Sequence, residues 1–229
     1  MPRKIYLLVN VLLLIIVFET YPQKVPPLAA NPKYSFGVLA GYTRNFGVNV
    51  SGTISDFTYD LPLSIRLSAG YNVRDAGNPW DARKIFINDN TNGDPDKSGH
   101  TIDFRLDFAL PVNLFSIRKS LLYIGPRYSM LTSTFEFIGG NEFFDITASQ
   151  FGLGTGLDLY FGINPTLSFV VSGGFDYYFS NKVGGHDSFY MPDGTDINGR
   201  QGYSYDDAAK SVNLPKYEVR FMAGLSFGL

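Results

Sequence analysis

The 229-residue sequence has no cysteine, two histidines, one tryptophan and only 17% charged residues. Zero cysteine excludes disulfide scaffolds, thiolate zinc sites, iron–sulfur clusters and cysteine nucleophiles together. The charged fraction lies below the quarter usual for a soluble domain. Nineteen Lys and Arg against 21 Asp and Glu leave no basic excess, so no nucleic-acid partner is expected. Beyond residue 30 no apolar stretch approaches 18 residues, which excludes helical membrane spans. What the chain has in abundance is aromatic residues, 20 Phe and 15 Tyr, and 24 glycines. Its length fits one domain or two small ones.

Arg3 and Lys4 precede a 14-residue stretch, Ile5 to Phe18, that is apolar apart from Asn10. It is too short to cross a membrane and reads as a secretory signal. Cleavage is expected after Ala30, with Leu28 at the third position back, and an uncleaved signal anchor is the other reading. Residues 1–30 are therefore taken as a signal peptide and 31–229 as one domain, which carries 16 basic and 20 acidic residues.

From residue 34 onward the chain alternates with a period of two. Tyr217, Val219, Phe221, Ala223, Leu225, Phe227 and Leu229 share one face of a strand whose other face holds Glu218, Arg220, Gly224, Ser226 and Gly228. Ile102, Phe104, Leu106, Phe108 and Leu110 alternate likewise with Asp103, Arg105, Asp107 and Ala109. Eight strands are expected, at 34–43, 46–55, 61–73, 100–111, 120–132, 144–162, 165–179 and 214–229. Phe151 to Phe161 alone spans 11 residues, and a tilted strand crosses a bilayer in roughly 9–11.

Connections alternate in length as well. Asp60-Leu61-Pro62, Leu110-Pro111-Val112-Asn113 and Asn164-Pro165 read as tight turns, whereas 74–99 and 180–213 read as long polar loops. Arg44-Asn45 and 138–142 are short connections on the loop side. Turns at one end and loops at the other describe a transmembrane β-barrel with its turns and both termini periplasmic. A soluble sandwich or lipocalin-like barrel shares the alternation. Against it stand the Gly and Ser of the polar face and the aromatics at strand ends, such as Tyr34, Tyr42, Tyr71 and Phe161, where membrane girdles lie.

The stretch from Thr101 to Val112, followed by Leu122-Tyr123-Ile124-Gly125-Pro126-Arg127-Tyr128-Ser129, resembles the outer-membrane β-barrel domain family that includes PorT-like proteins. Phe151-Gly152-Leu153-Gly154-Thr155-Gly156 with Asn164-Pro165-Thr166-Leu167-Ser168 is similar to that family's sixth strand, turn and seventh strand. The likeness extends to the small OmpA/OmpX-type eight-stranded barrels and implies an envelope accessory role in secretion or uptake as one alternative. The terminal strand, with Tyr217, Phe221, Phe227 and Leu229, resembles the segment read by the outer-membrane assembly machinery.

An eight-stranded barrel has an interior just wide enough for its own side chains. Arg66, Asp103, Arg105, Asp107, Arg127, Asp158, Asp176, Glu218 and Arg220 fall on the lumen face. Four arginines and five acids so confined are expected to form a filling ion network, because an unpaired buried charge is costly; a proton or ion path is the alternative. The two histidines, His100 near Ser98 and His186 beside Asp187 and Ser188, raise a lipid A-modifying site, but adjacent residues form no triad by themselves, and no enzyme is expected. The segments 88–96 and 193–199 faintly resemble calcium loops yet lack the ligand pattern, so no metal or other cofactor is expected. Trp80, Phe86, Phe189, Tyr190, Tyr203 and Tyr205 in the long loops suit contacts to a protein or glycan. The expected molecule is a monomeric barrel in the lipid of the cell outer membrane, structural or binding through loops 74–99 and 180–213.

Overall fold

The computed structural model describes residues 32–57, 61–83, 94–114, 117–138, 143–186, 202 and 204–229. The segment 1–30 expected to be a signal peptide, the loop segments 84–93 and 187–201 and the aromatics Phe86, Phe189, Tyr190 and Tyr203 lie outside them.

The chain forms strands β1 (Lys33–Thr43), β2 (Phe46–Ser55), β3 (Ser64–Arg74), β4 (Asp94–Leu114), β5 (Ile117–Ile138), β6 (Phe143–Gly162), β7 (Leu167–Tyr178), a short β8 (Gly184–His186) and β9 (Tyr217–Gly228), with helices α1 (Pro79–Arg83) and α2 (Tyr205–Ser211) in the two long connections. Each barrel strand pairs antiparallel with its sequence neighbour, β7 pairs with β9, and β9 returns to β1 from Ser35↔Gly228 to Thr43↔Arg220. This closes an eight-stranded antiparallel barrel, and β4 has an edge without β3 only above it, at Asp94–Ser98. β8 adds to the β6 rim through Asp145↔His186. No described helix is long and apolar enough to cross a membrane.

β1 starts and β9 finishes at the end that carries the turns. The β6–β7 turn is held by Asn164, whose Oδ1 accepts from Thr166 N at 3.0 Å and Leu167 N at 2.8 Å, an arrangement that leaves no role for the N–H that Pro165 lacks. At the opposite end β1 and β2 are joined through Arg44, whose φ of 69° is left-handed.

The alternation places apolar groups outside. Phe104, Phe108, Leu153, Phe175 and Phe221 are among many large side chains left exposed on the outer wall, and Phe151 is 67% exposed. Such a surface in water would be a severe aggregation hazard, whereas in a bilayer it is the solvated one. Each strand is thus inside out relative to a soluble barrel.

Two expectations are corrected. Leu110-Pro111-Val112-Asn113 is not the turn: β4 continues through it to Leu114, pairing Pro111 with Leu121 in register, and an irregularity follows between Val112 and Leu114. The loop expected over 74–99 is shorter at both ends, because Arg74 closes β3 and β4 already begins at Asp94. Strands β4, β5 and β6 are 20–22 residues long while the other five run 10–12, so one side of the barrel rises well past the rest.

Along this tall wall the polarity inverts. At mid-barrel its inward side chains are polar, Asp103, Arg127 and Asp158 among them; nearer the mouth Leu131, Phe135, Phe144, Ile146 and Ala148 turn inward and are buried. They join Ala76, Ala82, Val183 and Val212 from the long connections in an apolar cluster over the barrel mouth. A membrane barrel must be greasy outside within lipid and greasy inside where it meets water, and the switch marks the emergence of the wall from the bilayer.

Candidate functional site: the charged lumen and its cap

All nine lumen residues named from the sequence are turned inward and buried, at 9% exposure or less. Their side chains link across the barrel. Arg66 donates to Asp107 Oδ2 from Nε at 3.0 Å and from Nη2 at 2.9 Å, and Nη1 reaches Asp158. Arg127 Nη2 lies 2.7 Å from the other Asp107 oxygen, and its Nε donates to Asp176 Oδ1 at 2.8 Å. Arg220 donates to Asp176 from Nε at 2.6 Å and Nη2 at 3.1 Å. One continuous chain therefore runs Asp158, Arg66, Asp107, Arg127, Asp176, Arg220, drawing on strands β3, β4, β5, β6, β7 and β9. Nearer the mouth, Asp103 accepts from Asn72 and pairs with Arg105 at 3.3 Å.

Glu218 has a partner that the sequence reading missed. Arg74, assigned there to a loop, is the last residue of β3; it donates to Glu218 Oε2 at 2.6 Å and to Thr43 O at 2.7 Å. It follows Arg66, Ser68, Gly70 and Asn72 in strict period of two, a signal present in the sequence but cut off at Val73. With Arg74 included, five arginines face five carboxylates, so the fully ionised lumen is neutral. Neutrality of a desolvated interior is what buried charge requires.

Glycines make room for the long side chains. A Cβ on Gly154 would collide with Asp176 Oδ1 and Arg127 Nε, and one on Gly156 would collide with the Tyr123 hydroxyl. Tyr123 in turn lies under the Arg66 guanidinium, 4.5 Å from ring centroid to Cζ. Towards the turns the lumen closes with Leu39, Val170 and Met222 on one side and Ala109, Leu121 and Tyr123 on the other, with Tyr160 packed against both groups. Gly154→Ala is expected to destabilise the barrel by about 1–3 kcal/mol, because Arg127 and Asp176 hold each other and cannot both retreat. A lower urea midpoint for loss of folded gel mobility checks it.

The mouth is covered by the connections themselves. Gly77 and Val212 form a β-bridge, and Asn78 N donates to Ser211 O at 3.0 Å, so the first and last long connections are zipped together. Asp75 clasps this junction, accepting from Lys97 Nζ at 2.6 Å and from Asn213 Nδ2 at 2.9 Å. The hydrogen bond from Lys97 is the main reason its carboxyl titrates below the ordinary value. A depressed carboxyl contributes stability above its ordinary range and loses it as pH falls. Acidification through and below that range is therefore expected to loosen the cap, read by fluorescence of Trp80, the sole tryptophan, and an Asp75→Asn variant should show a flatter response.

The rim histidine His100 faces outward and stacks on Tyr71, ring centroids 5.4 Å apart. Tyr71 and Val73 flank it across β3. The side chain of His186 and the calcium-like segment 193–199 lie outside the described residues, and among these no cluster of metal-ligating side chains occurs. The terminal-strand residues Tyr217, Phe221, Phe227 and Leu229 all face outward, at 42% exposure or more.

A closed barrel with a greasy exterior, tight turns at the end where β1 starts and β9 finishes, and a charged interior has counterparts among solved structures. A major outer membrane protein from Thermus thermophilus superposes with a TM-score of 0.68 at 22% identity, covering 86% of this chain and 99% of that one. The chain has the fold of an eight-stranded outer-membrane barrel. Looser similarity is seen to Ail, the attachment invasion locus protein of Yersinia pestis (TM-score 0.43, 13% identity, 88% of this chain and 100% of that one). Neisserial surface protein A gives a TM-score of 0.37 at 10% identity over 86% of this chain and 94% of that one. No protein-family model matches the chain, and no curated protein matches it in sequence. Within the barrel so placed, a lumenal cavity among Arg66, Arg105, Asp107 and Arg220 has a volume of about 10 Å³, room for roughly one water molecule.

Proposed function

We propose that this outer-membrane barrel is a monomeric, non-catalytic and non-conducting protein whose lumen is filled by its own charge network, with a structural or binding role exercised at the loop end. The observation that carries the reading is the unbroken chain from Asp158 to Arg220 across the lumen, capped above by the apolar cluster around Phe135 and Phe144. An ion crossing here must break several buried pairs at once, each costly to leave uncompensated. Supporting the outer membrane as its place are the outward apolar belt and the outward aromatics of the terminal strand, which suit recognition by the assembly machinery. The finer PorT-like likeness rests on the motifs of strands β4 to β7 alone.

The binding part of the proposal differs from a picture of open loops. Ala76, Ala82, Val183 and Val212 of the two long connections are buried in the cap while Trp80 is exposed on it, so a partner meets the outer surface of the cap and wall. Purified protein in planar bilayers is expected to give no stable single-channel steps, and reproducible conductance overturns the proposal. The membrane fraction is expected to show heat-modifiable gel migration, as a folded barrel resists unfolding by detergent at room temperature.

A further inference from the structure

The outward face of the tall wall is used by neither lumen nor cap. Register across β4, β5 and β6 aligns its side chains in rows: His100, Thr132 and Thr147 form one, Ser98, Thr134 and Asp145 the next, and Asp96, Glu136 and the exposed Phe143 the third. Strands stand about 4.8 Å apart and same-face residues about 6.7 Å apart along a strand, so the rows make a grid of hydroxyls and carboxylates with His100 and Phe143 at opposite corners. Thr134 Oγ1 donates to Asp145 Oδ1 at 2.5 Å, which fixes two members of the middle row. These rows contain no lysine or arginine; Lys97, on the intervening face, is committed to Asp75. The grid begins one row above Ile102 and Met130 and is flanked at its base by aromatic rings, Tyr71 stacked on His100 and Tyr128 against Phe151 at 4.9 Å.

We propose that this face binds uncharged saccharide head groups of glycolipids in the surrounding outer leaflet, an inference that rests on the outer-membrane reading above. Sugar hydroxyls donate and accept together, and the grid offers both, with carboxylates to accept from neighbouring hydroxyls and Thr or Ser to serve either way. Aromatic rings at the base suit the apolar faces of sugar rings. A phosphate head group meets Asp96, Glu136 and Asp145 with no lysine or arginine among the described residues of these rows and is repelled. A peptide adding as a strand needs an open edge, but the β4 edge at Asp94–Ser98 carries Pro95 and two acids, and β8 is three residues long. Because the grid continues directly upward from the lipid belt, the first polar groups to meet it are those of the lipids that solvate the belt.

The test uses the full chain refolded in phosphatidylethanolamine vesicles that also contain equal amounts of a glycolipid with a neutral trisaccharide head group and of phosphatidylglycerol. After extraction in mild detergent, retained lipid is measured by mass spectrometry. The glycolipid is expected to be retained in preference to phosphatidylglycerol by about tenfold or more. The preference should vanish in the Thr132→Val/Thr134→Val/Thr147→Val variant, in which valine keeps the shape and the strand preference, and survive in the corresponding Thr→Ser variant. Glu136→Lys/Asp145→Lys, at solvated positions that leave the barrel ladder intact, should shift retention towards phosphatidylglycerol. Equal retention of both lipids by the native chain, or an unaltered preference in the valine or lysine variants, overturns the proposal. Heat-modifiable migration of the same sample separates the two readings: a native chain without it defeats the membrane assignment, whereas a folded barrel without selective retention defeats the saccharide site alone.

Discussion

Asp176→Leu is expected to destabilise the folded barrel by about 3–5 kcal/mol, the cost of removing one partner from a buried ion pair. Asp176 is fully buried and takes hydrogen bonds from two guanidiniums at once, Arg127 on β5 and Arg220 on β9. Its loss leaves two positive charges without their shared anion, beside a cavity at Arg220 with room for about one water. Arg127 keeps Asp107, but Arg220 loses its carboxylate hydrogen bonds. The urea midpoint for loss of the heat-modifiable form should fall with unchanged slope, because the surface exposed on unfolding is the same. Adding Arg220→Met to Asp176→Leu should recover part of the loss, since an apolar replacement of a whole buried pair is far cheaper than half of one. A midpoint unaffected by Asp176→Leu means that the lumen is hydrated well enough to solvate the orphaned charges, and the filled-lumen proposal fails with it.

Phe144→Ala should have a comparable effect confined to the cap, about 3–5 kcal/mol of local stability. Phe144 has no exposed surface and stacks on Phe135 with ring centroids 5.1 Å apart, at the centre of the cluster that seats the two long connections. The barrel ladder below is untouched, so the consequence is local opening before global unfolding. Trp80, on α1 in the cap, should therefore change its emission at a lower urea concentration than the one that abolishes folded gel mobility. In the native chain the two transitions should lie closer together. Coincident transitions in the variant argue that cap and barrel are one cooperative unit.

These two substitutions also divide what was legible in the sequence from what was not. Within the bilayer the environment on each face of the wall is uniform, so side-chain chemistry alternates strictly with residue number. The period of two then reports strand existence, count and facing together, and Ile102 to Leu110 or Tyr217 to Leu229 need no knowledge of their neighbours. Above the bilayer the same alternation changes sign. Phe135 and Phe144 turn inward while Glu136 and Asp145 turn outward, and nothing local in Asp94-Pro95-Asp96-Lys97-Ser98 distinguishes a strand from a loop. Its strand state comes from pairing with Thr134 to Ile138, a contact made by β5, whose hairpin partner β6 extends the ladder to Glu136↔Phe143.

Proline misled for a related reason. Leu110-Pro111 carries the local signature of a turn, yet the register places Pro111 opposite Leu121 within the ladder, and the chain turns only after Leu114. The resemblance to outer-membrane barrels foresaw the fold, which the Thermus structure shares, but no local pattern distinguished that turn from its neighbours.

The sequence by itself determined that this protein is an eight-stranded barrel, which side of each strand meets lipid and, Arg74 apart, which charged residues enter the lumen, because those properties follow from a one-dimensional period read against a two-sided wall. The tertiary structure alone decided who pairs with whom. Arg66 meets Asp158 across 92 positions and Arg74 meets Glu218 across 144, distances set by barrel closure and strand stagger rather than by any local preference. The same closure brought Gly77 to Val212 and so turned two apparent loops into a lid.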